Sequence, residues 1–486
     1  MITRREFVGS TLATAALLGG QQASSSTTDI AGMSLQQAAA ALRNKAASPL
    51  ELTRACLARI EAQNPRLNAF ITVTAERALA QARELEQELV RGRPRGPLHG
   101  IPLALKDNID TAGIRTTAAA RAFADRVPAS NAEVVRRLDD AGAIVLGKLN
   151  MDECAYGVTS DTGHFGAVQN PWRAGYTAGG SSGGPAAAVA ARLCYGAIGT
   201  DTGGSIRQPA AFCGLTGLKP SYGLVSARGV IPLSWSLDHV GPLCRTAGDA
   251  AVLLQAIAGF DPQDPASIEA APVDFVQALA RDTRRLRIGR PLNMYFDALD
   301  PEVESAVTTA IAVLRELTAG IQDIELPDVP RLSLMFVEAN AYFSDALKAS
   351  PDGFSAGVRG LINMGGRITA ADYAGAKQRL EVSRRTVRAV FNDVDVIVTP
   401  TTPNLPDRLG AGSDAAAQRG PPLSARNTTP FNIYGLPTVS VNCGFSRSGL
   451  PIGLQLSGPP LGDATVLALA HAYQSRTGWH TRGPGQ

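Results

Sequence analysis

The stretch AGGSSGGPAAAVAARLCYGAIGTDTGGSIRQPAAFCGLTGLKPSYG, from Ala178 to Gly223, places Ser181, Ser182 and Ser205 among densely spaced small residues. Glycine allows the backbone to approach a ligand closely and to adopt turns that other residues resist. A serine held among glycines can therefore present its hydroxyl and several neighbouring N–H groups to one point. That arrangement suits acyl transfer, phosphate binding and plain tight turns, so the remaining sequence has to decide among them.

Helical and strand patterns alternate along most of the chain, which predicts an α/β fold with a largely buried sheet. From Ser34 the apolar spacing is helical, with a break at Ser48–Pro49, where a second helix begins. We expect one large domain, 29–486, that starts with a helical segment at about 34–95. Buried strands are expected at IPLALK, Ala143–Gly147, Val394–Thr399, LPTVSVNCG and LPIGLQLSG.

Composition is typical of a soluble globular protein and argues against nucleic-acid binding. Hydrophobic residues make up 45% of the 486 residues and charged residues 18%, while the formal net charge is only +3. The six cysteines form no Cys-x-x-Cys pair, and the five histidines are dispersed. We therefore expect no metal site and no cofactor. The cysteines are expected to be buried as small apolar residues, with one incidental disulfide as the alternative.

Residues 1–28 resemble a twin-arginine export signal. Arg4 and Arg5 precede Phe7, a mild apolar run extends from Thr11 to Gly20, and small polar residues follow. The apolar run is too short to span a bilayer as a helix. We expect this segment to be removed and the mature protein to be periplasmic or secreted. An ordinary N-terminal amphipathic helix is the alternative.

Two chemistries of glycine-flanked serines fit the sequence poorly. A phosphate-binding P-loop needs Gly-Lys followed by Ser or Thr, and neither glycine cluster has it. Gly180–Gly184 formally matches the Gly-x-Ser-x-Gly turn of α/β-hydrolases, with Ser182 in the centre. That turn requires a buried strand immediately before it and an acid and a histidine after it. The preceding NPWRAGYTA is typical of a loop, and Asp463 and His471 are weak candidates for the two partners.

A third chemistry pairs a serine nucleophile with a lysine. Lys106 follows an apolar segment in GIPLALKDNID, where it should lose part of its hydration. Desolvation disfavours the ammonium form and lowers the lysine pKa, which leaves a neutral amine able to accept a proton from a serine. Alternatively, Lys106 pairs with Asp107 or Asp110 as a surface ion pair. This segment alone leaves both interpretations open.

Several long motifs together resemble the amidase signature family of Ser–cisSer–Lys hydrolases. GIPLALKDNI, GGSSGG and GTDTGGSIRQPAAFCGLTGLKPSYG occur in that family's order and spacing. DVIVTPTTP and GLPTVSVNCG are also similar to family segments, so the resemblance covers most of the chain. It implies the family's fold, a large mixed central β-sheet covered on both sides by α-helices.

The resemblance also implies roles for individual residues. Ser205 matches the family's nucleophile, Lys106 its base, and Ser181 the serine that bridges them on a cis peptide after Gly180. The implied reaction hydrolyses a C–N amide bond through an acyl-enzyme on Ser205, with Lys106 and Ser181 relaying the proton. The supporting residues are Ser182, Asp201 and Arg207, and the oxyanion-hole donors are the backbone N–H groups of Thr202, Gly203, Gly204 and Ser205.

The family includes stand-alone amidases and the glutamine-using subunit of tRNA amidotransferases. The amidotransferase proteins carry an acid and an arginine that hold glutamine. The matching places in this chain are Ala425 for the acid and Gly360 or Leu361 for the arginine. Both charges are missing, although Arg359 and Arg426 stand next to these places.

These missing charges and the export signal favour a stand-alone hydrolase, because tRNA charging is cytoplasmic. We therefore expect hydrolysis of a small, neutral or aromatic amide, with a carbamate (urethane) or an ester as the alternative. A glutamine-hydrolysing amidotransferase subunit is the less favoured interpretation. The expected partner is a small-molecule substrate, without nucleic acid or a membrane span, and the protein is expected to be a monomer or a homodimer.

Overall fold

The computed structural model describes residues 29–330, 333–410 and 423–485. The predicted export signal, 1–28, lies outside the described residues. Within the described ranges, no helix combines the length and apolar character that a membrane crossing requires. All six cysteines are buried and free, as the composition predicts.

A mixed β-sheet of eleven strands runs through the described part of the chain. Its strands are β1 (Phe70–Val73), β2 (Pro102–Lys106), β3 (Ile144–Leu149), β4 (Ala197–Asp201), β5 (Thr216–Lys219), β6 (His239–Cys244), β7 (Arg287–Pro291), β8 (Gly320–Ile324), β9 (Val396–Pro400), β10 (Thr438–Phe445) and β11 (Pro451–Ser457). They lie side by side in the order β1-β3-β2-β4-β6-β5-β10-β11-β9-β7-β8. The neighbours within β3-β2-β4 and β9-β7-β8 are parallel, and the remaining neighbours are antiparallel.

Helices cover this sheet. In the described ranges they are α1 (Leu35–Arg43), α2 (Pro49–Leu67), α3 (Ala75–Val90), α4 (Glu133–Asp140), α5 (Gly183–Ala190), α6 (Arg207–Cys213), α7 (Ala247–Ile257), α8 (Pro301–Leu317), α9 (Leu334–Ala349), α10 (Ala356–Gly365), α11 (Ala370–Thr386), α12 (Thr429–Ile433) and α13 (Asp463–Thr477). Every residue of β2, β4 and β6 is buried, which requires cover on both faces of the sheet. This architecture confirms the predicted α/β fold with its large mixed sheet.

The expected strands do not include β4, β5, β6 or β8, and β9 begins at Val396 rather than at Val394. Two further strands also differ from the expectation. β1 interrupts the segment expected to be helical at about 34–95, because only the four residues FITV form it and they carry too short a pattern to recognise. β3 extends to Leu149, beyond the expected end at Gly147, because Lys148 stays in the strand with its amine buried. That amine donates to a backbone carbonyl and a threonine hydroxyl, both at 2.7 Å, which replace its lost hydration.

The expected break between the first two helices is confirmed. The hydroxyls of Ser34 and Ser48 each accept the backbone N–H three residues on, and the side chains of Gln37 and Glu51 accept the cap N–H in return. These capping boxes satisfy N–H groups that a helix start otherwise leaves unpaired. Pro49 occupies the first position of α2, where no intrahelical hydrogen bond is lost.

Helix α5 packs closely against the sheet and begins directly after two of the serines. All eight of its residues are buried, and they are glycine, proline, alanine and one valine. A Cβ at Gly184 would lie 2.2 Å from the carbonyl oxygen of Asn150 and 2.7 Å from that of Ala69. Because both neighbours are backbone atoms, only glycine fits at this point of contact.

We expect Gly184→Ala to lower the thermal unfolding midpoint, because its methyl group overlaps backbone atoms that cannot easily move away. Overpacking of this kind costs about 1–3 kcal/mol. Gly357→Ala is the matched control, since Gly357 lies in α10 with open space where its side chain would be. That variant should gain about 0.5–1 kcal/mol by removing a helical glycine. Circular dichroism melts measure both, and equal midpoints for Gly184→Ala and wild type would contradict the close contact.

Candidate active site

Lys106 ends strand β2 and directs its amine at two hydroxyl groups. Its side chain is fully buried. Nζ lies 2.8 Å from Oγ of Ser181 and 2.8 Å from Oγ1 of Thr200. Because β2 and β4 pair in parallel, the end of β2 comes to lie beside Thr200 on β4. The lysine is therefore positioned by the centre of the sheet, while Ser181 comes from the segment just before α5.

The alternative of a surface ion pair for Lys106 is wrong. Asp110 instead pairs with Arg126 at 2.7 Å. Asp107 lies 3.5 Å from the buried amine of Lys148. Among the described residues, no carboxylate forms an ion pair with Lys106, and hydroxyl oxygens contact its amine instead.

Burial lowers the pKa of Lys106 to about 7, because removing an ammonium group from water favours the neutral amine. Three buried carboxylates oppose this effect through their charge, those of Asp152, Asp238 and Asp201. At neutral pH a substantial fraction of the amine is therefore deprotonated. That fraction can accept a proton from Ser181 across the 2.8 Å contact.

The segment that carries Ser181 lies directly against the one that carries Ser205. The Gly180–Ser181 peptide bond is cis. The N–H of Ser182 donates to the Ser205 carbonyl at 3.2 Å, and the Ser182 hydroxyl donates to the Thr200 carbonyl at 3.1 Å. The Ser182 hydroxyl also accepts the Thr200 N–H at 3.4 Å, so each of these hydrogen bonds of Ser182 is made with a backbone group. These hydrogen bonds help to bring Lys106, Ser181 and Ser205 together in one buried region.

The loop around Ser205 is folded over the carboxylate of Asp201. Oδ1 of Asp201 accepts the N–H of Gly204 at 2.7 Å, and Oδ2 accepts a second backbone N–H at 3.1 Å. The N–H of Gly204, which the resemblance assigns to the oxyanion hole, therefore donates to Asp201 in this structure. Within the described residues, the N–H groups of Thr202, Gly203 and Ser205 donate to no other protein group and are open to a substrate oxygen.

Asp201 is in turn held by Arg207, which is fully buried. The guanidinium donates from Nη2 to Oδ1 and from Nε to Oδ2, both at 3.0 Å. Burial by itself raises the pKa of Asp201, but the guanidinium overcomes this and holds that pKa well below its usual range. The carboxylate stays ionised and keeps the loop in place. The further acceptors of Arg207 lie in the C-terminal part of the chain: the Thr428 carbonyl, Asn432 Oδ1 and Gln455 Oε1.

Several residues that contact the site were not found by sequence reasoning. They are Thr200, Asp238, Thr428 and Asn432. Thr200 directly precedes the Asp201 motif, and its place at the end of a buried strand could have identified it. Thr428 and Asn432 contact residues that lie 225 and 231 positions earlier in the chain, so no local pattern connects them to the loop.

The two places that carry charges in the amidotransferase proteins are neutral here. Ala425 is buried, and its carbonyl accepts the Thr428 hydroxyl at 3.2 Å. The same hydroxyl also donates to the Gly203 carbonyl at 2.7 Å, so Ala425 lies close to the loop around Ser205. Neither neighbouring arginine replaces the missing charges. Arg359 forms an ion pair with an aspartate at 3.2 Å, and Arg426 donates to a backbone carbonyl at 2.7 Å.

The structure also argues against an α/β-hydrolase site. In the described residues no strand lies between β3 and α5, so Ser182 does not follow a buried strand. Asp463 accepts the N–H of Ser221 at 2.9 Å and its hydroxyl at 2.6 Å. This aspartate therefore holds a loop rather than a catalytic histidine.

Comparison with known proteins identifies relatives over nearly the whole chain. A family model described as Amidase matches residues 51–467. A glutamyl-tRNA(Gln) amidotransferase subunit of Methylococcus capsulatus is 43% identical over 481 residues, which cover 93% of this chain and 98% of the relative. The solved structure of the corresponding glutamyl-tRNA(Gln) amidotransferase subunit from Thermotoga maritima is 30% identical with a TM-score of 0.75, covering 94% of this chain and 98% of that one. A solved bacterial aryl acylamidase of the amidase signature enzymes is 26% identical with a TM-score of 0.85, covering 93% of this chain and 99% of that one.

These relatives correct two predictions. The prediction of a stand-alone hydrolase of a small neutral or aromatic amide, a carbamate or an ester is wrong, because curated relatives 42–43% identical across the chain are named as an amidotransferase subunit. The prediction of a small molecule as partner, without nucleic acid, is wrong for the same reason. The similarity to the aryl acylamidase, at 26% identity, supports the fold more than the substrate. The match over residues 51–467 shows that the chain belongs to the amidase family, the amidase signature enzymes that act on carbon–nitrogen bonds.

Proposed function

We propose that this protein hydrolyses the side-chain amide of glutamine and releases ammonia, as one component of a multi-subunit amidotransferase that acts on glutamyl-tRNA(Gln). The observation that carries the proposal is the 43% identity, over almost the full length of both chains, to a named subunit of such an enzyme. The site supports it chemically. Amide hydrolysis needs a nucleophile, a base and a proton donor for the leaving nitrogen, and one lysine with two serines supplies all three.

The first half of the reaction is an acyl transfer to Ser205. Neutral Lys106 accepts the proton of Ser181, Ser181 accepts that of Ser205, and Oγ of Ser205 attacks the amide carbon. The carbonyl oxygen becomes an oxyanion that the N–H groups of Thr202, Gly203 and Ser205 can stabilise. One such donor contributes about 2.7–4 kcal/mol to transition-state stabilisation.

The second half releases the nitrogen and then the acid. Because an amine leaves poorly as an anion, Ser181 returns a proton to the nitrogen as the C–N bond breaks, and Lys106 re-protonates Ser181. The departing product is ammonia. Water then attacks the Ser205 ester through the same relay, which frees glutamate and restores the serine.

A protein partner follows from the proposal. The amidotransferase relatives are each named as one subunit of their enzyme, so we propose that other subunits bind the tRNA and receive the ammonia. The formal net charge of +3 on 486 residues agrees with this division, because phosphate contacts on a tRNA require a concentrated basic surface.

Purified protein should release ammonia from glutamine, and Ser205→Ala should lower kcat by at least about 1,000-fold, because the nucleophile is lost. The neutral residues at Ala425 and Leu361 remove the family's charged contacts to glutamine, so we expect a KM of about 1 mM or more. Detection of ammonia with coupled glutamate dehydrogenase measures both constants. Ser475→Ala is the matched control and should keep the wild-type activity, since the exposed Ser475 hydroxyl donates to the His471 carbonyl within α13, away from the site. Cleavage of an aryl anilide without any release of ammonia from glutamine would contradict the proposal.

The value of kcat/KM for glutamine should rise with pH through about 7 and level off above it. The sign follows from the lysine, which is protonated and inactive below its pKa and neutral above it. Lys106→Met keeps an unbranched side chain that is one atom shorter, but this side chain cannot accept a proton. It should lower kcat by about 100- to 10,000-fold and abolish the rise with pH. A Lys106→Met variant with the wild-type pH profile would remove the lysine from the mechanism.

A further inference from the structure

The carboxyl group of Asp152 is buried behind the peptide that carries Ser181. The backbone N–H of Asp152 donates to the Ser181 carbonyl at 3.3 Å. Its side chain accepts the N–H of Thr159 at 3.2 Å through Oδ2 and the hydroxyl of Thr162 at 3.0 Å through Oδ1. One residue therefore connects the turn at 157–162 to the peptide of the bridging serine.

Two glycines make room for this carboxyl group. A Cβ at Gly180 would lie 2.0 Å from Oδ2 of Asp152, and a Cβ at Gly157 would lie 2.4 Å from its carboxyl carbon. Both separations are shorter than non-bonded atoms allow, so the carboxyl group fills space that only glycine leaves open. It is thereby locked against Gly180, the residue directly before Ser181.

The charges that act on Lys106 come from several elements of the fold. They are the carboxylates of Asp152, Asp238 and Asp201, and that of Asp152 has the largest effect. Asp201 is already paired with Arg207 at 3.0 Å. Asp238 accepts a threonine hydroxyl at 2.5 Å and two backbone N–H groups at 2.9 and 3.0 Å. The carboxylates of Asp201 and Asp238 therefore hold the loop around Ser205 and the backbone at 233–234 in place.

Among the described residues, no lysine, arginine or histidine side chain is paired with the carboxyl group of Asp152. It forms no ion pair within the part of the chain that the structure describes, and the charged groups that act on it are Asp161 and Lys106. Burial raises the pKa of Asp152 to about 7, and the charge of Lys106 opposes this rise. The protonation states of this lysine and this aspartate therefore depend on each other in the neutral pH range.

We propose that Asp152 is a positioning residue for the reaction at Ser205: its backbone N–H and its carboxyl group, packed against Gly180, hold Ser181 against the amine of Lys106. The negative charge of the same carboxyl group also acts on Lys106. The inference rests on the proposed function in one respect, that Ser205 is activated through Ser181 and Lys106. It requires no particular amide. Asp152→Asn keeps the shape of the side chain and removes its charge, so Lys106 should give up its proton more readily. The serine should then stay reactive at lower pH.

The test follows labelling of Ser205 by a fluorophosphonate as a function of pH, because labelling requires an activated serine and no amide substrate. Intact-mass spectrometry gives the rate, with Ser205→Ala as the blank. The labelling rate should fall as the pH is lowered, and this fall is the acid limb of the pH–rate profile. Asp152→Asn should shift the acid limb to lower pH by about 1 unit. It should also lower the plateau several-fold, because the amide group has one acceptor atom where the carboxylate has two.

Asp140→Asn is the control. It removes an exposed carboxylate that pairs with Arg136 in α4, and Asp140 is not among the charges that act on Lys106 or on Asp152. Its acid limb should coincide with that of wild type. Should Asp152→Asn fail to fold, Thr162→Val removes one hydrogen bond to the carboxylate and keeps the charge. That variant should lower the plateau and leave the acid limb unchanged.

An acid limb of Asp152→Asn that coincides with wild type would overturn the inference, whatever its plateau. A Thr162→Val plateau equal to wild type would do the same if the first variant does not fold. A wild-type protein that is not labelled at Ser205 would overturn the proposed function and this inference together. A shifted acid limb in a protein that releases no ammonia from glutamine would support the role of Asp152 and count only against glutamine as the substrate.

Discussion

A lysine amine held out of water sets the requirements for the rest of this active site. Among the described residues it contacts hydroxyl groups and forms no ion pair. In such a place the ammonium form loses hydration that two hydroxyls cannot fully replace, and the neutral amine becomes accessible near pH 7. A carboxylate in direct contact would restore the ammonium form and remove the base. Among the described residues, Asp152, Asp238 and Asp201 act on the amine through their charges but form no ion pair with it. Their charges therefore reduce the lowering of the lysine pKa by burial without cancelling it.

The second requirement is a rigid loop at Ser205, and it is met by residues from distant parts of the chain. Arg207 connects Asp201 to Asn432 in α12 and to Gln455 in β11, so one buried guanidinium joins the loop around Ser205 to the C-terminal part of the fold. A charge this deeply buried is tolerated because every direction around it offers an acceptor. The two serine segments can then approach each other closely, since glycine and alanine leave their backbones exposed to one another.

The sequence alone predicts the local part of this arrangement well. Patterns of consecutive residues are enough to predict the break at Ser48–Pro49, the strand that ends at Lys106 and the glycine-rich serine segments. The occupied N–H of Gly204 was not predictable, because it depends on how the Asp201 side chain turns. Contacts such as Arg207 with Gln455, 248 positions apart, depend on the order of strands in the sheet. No pattern in one sequence fixes that order.

The substrate class depends on a comparison for a related reason. The neutral residues at Ala425 and at Gly360 or Leu361 favour a neutral amide, whereas the similarity of the whole chain to its relatives favours an amidotransferase subunit. Only a comparison reveals that similarity. The interpretation of residues 1–28 as an export signal remains a prediction. What the structure adds is a buried lysine amine 2.8 Å from Oγ of Ser181, next to a loop in which the N–H groups of Thr202, Gly203 and Ser205 donate to no other group among the described residues.

The protonation of Lys106 is the most direct test of this account. The chain has six lysines, Lys45, Lys106, Lys148, Lys219, Lys348 and Lys377, so the ¹³Cε and ¹⁵Nζ signals of lysine-labelled protein can be resolved and followed by NMR. The account predicts one signal that titrates with a midpoint near pH 7 and is absent from Lys106→Met. A Lys106 signal that keeps its ammonium chemical shift up to about pH 9 would contradict it, because the base would then be charged throughout the working range.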